Sequence, residues 1–196
     1  MMSAGRGRGL DFFRADVPIY TLTFAKRVSP QVLLTRMGAD PDSVALRDEM
    51  SLHDEYGDTL LDDDEPVVTT GVDGAWTWAW KQGGMHGLDE RILCAVSMGT
   101  EAVVLHCNEK PMHWFTYAAD GDILVGFHTL GPLEPTGLSP AQLDEAMRPL
   151  GLVPGQPVPL HNVLSLAENA FGLRVTPPGD GEERWSGSLL ALIERP

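Results

Sequence analysis

The chain has 196 residues, enough for one domain with a real core, and its 43% hydrophobic and 21% charged residues indicate a globular protein rather than a disordered one. Fourteen Lys and Arg stand against 28 Asp and Glu, and the resulting charge of −14 repels phosphate backbones and disfavours nucleic acid as a partner. No apolar run approaches the ~20 residues of a membrane helix, and the N-terminal stretch from Arg6 to Arg14 has no apolar secretion core. The setting read from these features is the cytoplasm, with no membrane partner.

Residues 1–16 show no periodicity and are expected to form a loose tail ahead of a single domain over 17–196. Ile19 to Phe24 alternates and is rich in β-formers, which predicts a strand. Ser29-Pro30, the apolar Val32, Leu33, Leu34 and Met37, and then Gly38 predict a short capped helix. A second short helix is expected through Val44–Arg47. Residues 53–66, with Asp58 and the run Asp62-Asp-Asp-Glu65, are too polar to bury and read as a surface loop.

Pro66–Val72 and Trp76–Lys81 are predicted strands joined at Asp73-Gly74, a hairpin-turn dipeptide. Leu88, Ile92, Leu93 and Val96 have helical spacing and are followed by Gly99. Glu101–Cys107, His113–Ala118 and Ile123–Phe127 form an expected meander, with Asp120-Gly121 as its tight turn. A helix from Ser139-Pro140 through Met147, another from Leu160 to Phe171, a short strand at 174–176 and a closing strand over 188–193 complete the reading. The pattern S-P-x-x-L-x-x-x-M occurs at 29–37 and at 139–147, and a capped helix opening explains each copy without a duplication. The expected architecture is α+β: a mostly antiparallel sheet of about six strands with three or four short helices.

Trp76, Trp78 and Trp80 share one face of their strand by period-two alternation. Core is the favoured place for them, because an exposed three-Trp stripe is costly; any Trp left at a rim is a binding surface. His106 and His113 flank a predicted hairpin and could face each other, with Tyr117 on the same strand as His113. These six residues are the candidate binding set. Cys94 and Cys107 lack a C-x-x-C arrangement, and no histidine pair has zinc-ligand spacing, so neither a metal nor a cofactor is expected. The acidic run lacks the alternating ligands and central glycine of a calcium loop. Ser97 lacks the first glycine of a nucleophile elbow, and Gly83-Gly84 matches no phosphate loop. No catalytic residue is assigned.

The segments Tyr20-Thr-Leu-Thr-Phe-Ala25, Ser29-Pro30, Leu33-Leu34-x-x-Met37-Gly-Ala-Asp-Pro41, the Trp-rich strand, Ser97-Met-Gly-Thr-Glu101 and Phe115-x-Tyr117-Ala-x-Asp120-Gly121 resemble a domain family of unknown function found in actinobacteria as small stand-alone proteins. The resemblance spans 19–173. It implies an intracellular setting and carries no assigned catalytic residue; the acidic loop is long for the pattern. The leading expectation is a non-enzymatic module that binds another protein, such as an immunity-like or regulatory accessory protein, and the acidic surface suits a basic partner. The rivals are a small-molecule-binding domain or modest hydrolase with an aromatic and histidine-lined pocket, and a subunit of a larger assembly joined through a sheet edge.

Overall fold

The computed structural model describes residues 9–10, 13, 19–57, 60, 66–110, 112–159, 162–176, 179 and 181–189. In chain order these form β1 (Tyr20–Lys26), α1 (Pro30–Met37), β2 (Ala45–Arg47), α2 (Glu49–Tyr56), β3 (Val67–Asp73), β4 (Trp76–Gln82), α3 (Glu90–Ser97), β5 (Glu101–Cys107), β6 (His113–Ala119), β7 (Asp122–His128), α4 (Asp144–Met147), α5 (Asn162–Phe171) and β8 (Arg184–Ser188). One antiparallel sheet has the order β2-β8-β3-β4-β1-β5-β6-β7. Among the described residues it has eight strands, not about six, and the five helices exceed the three or four expected.

The sheet separates two cores. On one face the aromatic and long aliphatic residues Tyr20, Leu22, Phe24, Trp76, Trp78, Leu105, Phe115 and Phe127 pack under α4, α5 and the irregular chain around them. On the other, Ala25, Ala79, Ala102 and Ala118 let α1 and α3 approach closely, and Leu33, Leu34, Met37, Ile92, Leu93 and Val96 fill the interface. Strand alternation alone produces this division, since neighbouring residues of β1 or β4 serve opposite cores.

Several elements depart from the sequence reading. Residues 45–47 form a strand rather than a helix. Asp48 accepts the Ser51 N–H and starts a new helix there, and pairing with β8 fixes the preceding three residues as an edge strand. Pairing overrides the helix propensity of Ala-Leu-Arg. The loop expected from residue 53 is helical through Tyr56, yet α2 buries none of its residues. Polarity correctly excluded burial but does not exclude a capped surface helix. Asp58 and residues 62–65 lie outside the described residues.

Within the expected loose tail, Leu10 and Phe13 are core residues. The Leu10 N–H donates to Glu168 Oε1 at 2.7 Å, and the Phe13 ring lies 5.0 Å from Tyr20 and 5.4 Å from Trp80. Isolated apolar residues without periodicity gave no signal of this docking. The segment 174–176 is not a strand; β8 ends at Ser188, and of the closing strand expected over 188–193 residues 190–193 lie outside the described residues.

The two S-P-x-x-L-x-x-x-M segments differ. Ser29 caps an eight-residue helix, whereas 139–143 are turns before a four-residue helix, and the two serve opposite cores. The outer side of β7 is already hydrogen-bonded by residues 136–139, and β2 at the other edge has only three residues. Short or covered edges of this kind discourage edge-to-edge pairing.

Candidate functional site

The stripe of tryptophans is mostly core. Trp76 and Trp78 are buried, and the Trp76 indole donates to the Phe171 carbonyl at 3.0 Å. Trp78 lies under the Arg184 guanidinium, whose carbon is 4.9 Å from the ring centre. Gly71, paired with Trp78, makes the stack possible: a Cβ there would fall 2.2 Å from the Trp78 ring and 2.6 Å from Arg184 Nη1. Trp80 alone is half-buried.

That residue lines a cleft of about 630 Å³ whose floor also includes Val67 and Thr69 of the sheet. One wall is α2, through Glu49, Met50, Leu52, His53 and Asp54; the other includes Glu182 and Arg184. Because α2 buries no residue, its position depends on polar ties. Arg47 supplies them. Its Nε and Nη2 donate to the two Glu55 oxygens at 2.6 and 2.7 Å, its Nη1 donates to Ser43 O and Ser186 Oγ, and its guanidinium lies 5.3 Å from the Tyr56 ring centre. The paired hydrogen bonds raise the Arg47 pKa and hold the Glu55 carboxyl below the usual carboxylate range.

Arg47 and Arg184 face each other in register across β2 and β8. Like charges in that position repel, and each is matched by its own glutamate, Glu55 and Glu182. Both arginine side chains are about nine-tenths buried, at 8% and 10% exposure. By contrast, Glu49 and Asp54 are exposed and form no ion pair among the described residues. The charge left open to a ligand is therefore negative. Among the described lining residues Thr69 has the only hydroxyl and none has a thiol, and no described group of three or more His, Cys, Asp or Glu residues is placed to hold a metal.

The sheet divides the candidate set. His113 and Tyr117 share the aromatic face with the three tryptophans, while His106 lies on the opposite face, paired with Trp114. His106 and His113 therefore do not face each other: the register pairs Cys107 with His113. The Cys107 sulfur is 3.9 Å from His113 Nε2, a proximity that cross-strand pairing creates and sequence adjacency conceals. Burial raises the Cys107 thiol pKa, which opposes thiolate formation. Tyr117, raised by burial and by Glu101, packs 4.9 Å from Phe171 as a core residue.

His106 belongs to a polar row across the other face: Lys81, Thr21, His106 and Trp114 occupy matched positions on β4, β1, β5 and β6. The Thr21 hydroxyl donates to Gly84 O at 2.8 Å, so its contact with His106 Nδ1 at 2.9 Å has the ring as donor. Gly87 seals the row; a Cβ there would come within 2.5 Å of Thr21 and 2.9 Å of the Thr23 hydroxyl oxygen. Of the six candidates only Trp80 reaches the cleft. Arg47, Arg184 and the α2 residues were missed because the pairing of β2 with β8, some 140 positions apart, has no local signature.

A single antiparallel sheet covered on both faces, with a cleft beneath an unburied helix, defines an α+β protein of one layered sheet. The chain belongs to a family of unknown function (DUF6461), whose model matches residues 10–178. No curated protein and no solved structure matches it. The matched span begins at Leu10, a core residue, and ends before Glu182 and Arg184, so one wall of the cleft lies outside it. Among the described residues no helix is long and apolar enough to cross a membrane.

Proposed function

We propose that the protein is a non-enzymatic protein-binding module that seats a basic side chain of its partner in the cleft beneath α2. The observation carrying this reading is the combination of the half-buried Trp80 on the floor with the unmatched carboxylates Glu49 and Asp54 on the α2 wall. An aromatic ring beside carboxylates attracts ammonium or guanidinium groups, while Val67, Leu52 and Met50 receive the aliphatic stem. The chain's charge of −14 favours encounter with such a partner and disfavours nucleic acid. The reading requires no cofactor, and the setting we propose for it is the cytoplasm.

Two short peptides test it, identical except that one carries lysines where the other carries glutamates. Titration of the basic peptide is expected to shift the amides of residues 47–54, 67–69 and 80–82 saturably. Trp80→Ala, or Glu49→Gln with Asp54→Asn, weakens binding about tenfold. Equal binding of the acidic peptide, or shifts that avoid the cleft, would rule the proposal out. A small organic cation is the second reading, favoured by the cleft's volume of about 630 Å³, which falls within the usual range for small-molecule sites.

A further inference from the structure

A second cleft has the opposite character. It measures about 470 Å³ and lies where β1 runs into α1, beside the start of β5 and the turn between β6 and β7. Lys26, Arg27 and Arg36 line it, with Thr100, Glu101 and Asp120. Three of the ten described Lys and Arg residues thus meet at one place in a chain that is otherwise strongly acidic.

Their commitments differ. The Lys26 ammonium is 2.6 Å from Glu101 and lies over the Trp76 ring, so this pair is neutral and fixed. Arg36 gives Nη1 to the Val96 carbonyl at 2.9 Å, which offsets the negative end of α3 and leaves its other donors uncommitted. The Arg27 guanidinium is exposed and has no partner among the described residues. Its backbone is left-handed, at φ 56°, and is fixed there by donation of its N–H to the Ala75 carbonyl at 2.7 Å. Glycine or asparagine occupies that conformation at lower cost, so arginine there carries a penalty of about 1 kcal/mol that packing does not return. With Glu101 matched by Lys26, Asp120 is the one carboxylate left to oppose two guanidinium groups.

We infer that this cleft is a phosphate-class oxyanion site, with Arg27 and Arg36 as its donors. Guanidinium groups offer planar, multiple N–H donors that match tetrahedral oxyanions, and the lining is mainly polar, with Val28 and Ala119 as its apolar side chains. The inference is independent of the cleft under α2.

The test is an amide-shift titration of the full chain with sodium phosphate, at constant ionic strength set with sodium chloride, and in parallel with sodium acetate. Phosphate is expected to shift residues 26–28, 99–101 and 119–121 saturably, and Arg27→Gln to weaken it about tenfold without changing the melting temperature. Arg36→Lys, which keeps the charge over α3, weakens it less. The inference is overturned if phosphate produces no saturable shift, if Arg27→Gln binds as wild type does, if acetate binds as tightly as phosphate, or if Lys110, Arg148 and Arg174 respond equally.

Discussion

The two faces of the sheet are built on different scales. Where irregular chain and a four-residue helix form much of the cover, the strands carry Trp, Phe and Tyr, whose volume bridges the gap. Where α1 and α3 lie flat on the sheet, the strands carry alanine and the helices supply the bulk. Packing density is similar in all protein interiors, so the size of the strand residues records the distance to the layer above. On the aromatic face, beneath α2, cover is incomplete and Trp80 stays half-buried.

Breaking the aromatic face should cost the most. Trp78→Ala removes a fully buried ring and leaves Arg184 and Gly71 facing a void, an expected loss of about 4 kcal/mol in urea unfolding. A loss below about 1 kcal/mol would mean that the face is not the main core. The small-residue face should fail in the opposite direction. Ala79→Leu has no space beneath α1 and is expected to cost about 2 kcal/mol by overpacking; a neutral result would show α1 free to lift.

The same face contains an inefficiency that can be removed. The Thr23 hydroxyl is buried and without a hydrogen-bond partner among the described residues. Thr23→Val is expected to gain about 1 kcal/mol by sparing its desolvation, whereas a loss would reveal a partner or a role for it.

The smallest effect concerns α2. Hydrogen bonds from Arg47 depress the Glu55 pKa, and the Ser51 hydrogen bonds do the same for Asp48. A group depressed on folding contributes stability above its unfolded pKa and loses it as the pH falls through the folded one. Acidification through and below the ordinary carboxylate range should therefore loosen 49–56 ahead of the sheet. Amide exchange would show this, and Glu55→Gln should reduce the pH dependence while leaving the Asp48 share.

Much of the fold was legible because local rules and tertiary structure agree. Ser29-Pro30 and Gly38 bracket α1 as capping predicts, and Asp120-Gly121 forms a hairpin turn; the first hairpin turns one residue later than Asp73-Gly74, at Gly74-Ala75, with Asp73 paired to Trp76. Helix and strand periodicity located α3, α5 and the meander. Readings failed where no periodicity exists, at Leu10 and Phe13, or where a polar helix was equated with a loop, at α2.

The cleft was less legible. Trp80 was visible in the alternation of β4, but alternation could not say which of three tryptophans would lie at an open end. Cys107 and His113, or Arg47 and Arg184, are neighbours only because strands pair in a particular register.

By itself the sequence determined the class: an acidic α+β chain, its turns, its caps and the residues sharing each strand face, all properties of short-range sterics and hydrogen bonding. The order of the strands, the pairing of β2 with β8, the division of His106 from His113 and the positions of both clefts were decided only in three dimensions. Each depends on contacts between residues far apart in the chain, whose free energy exists only once the sheet has assembled.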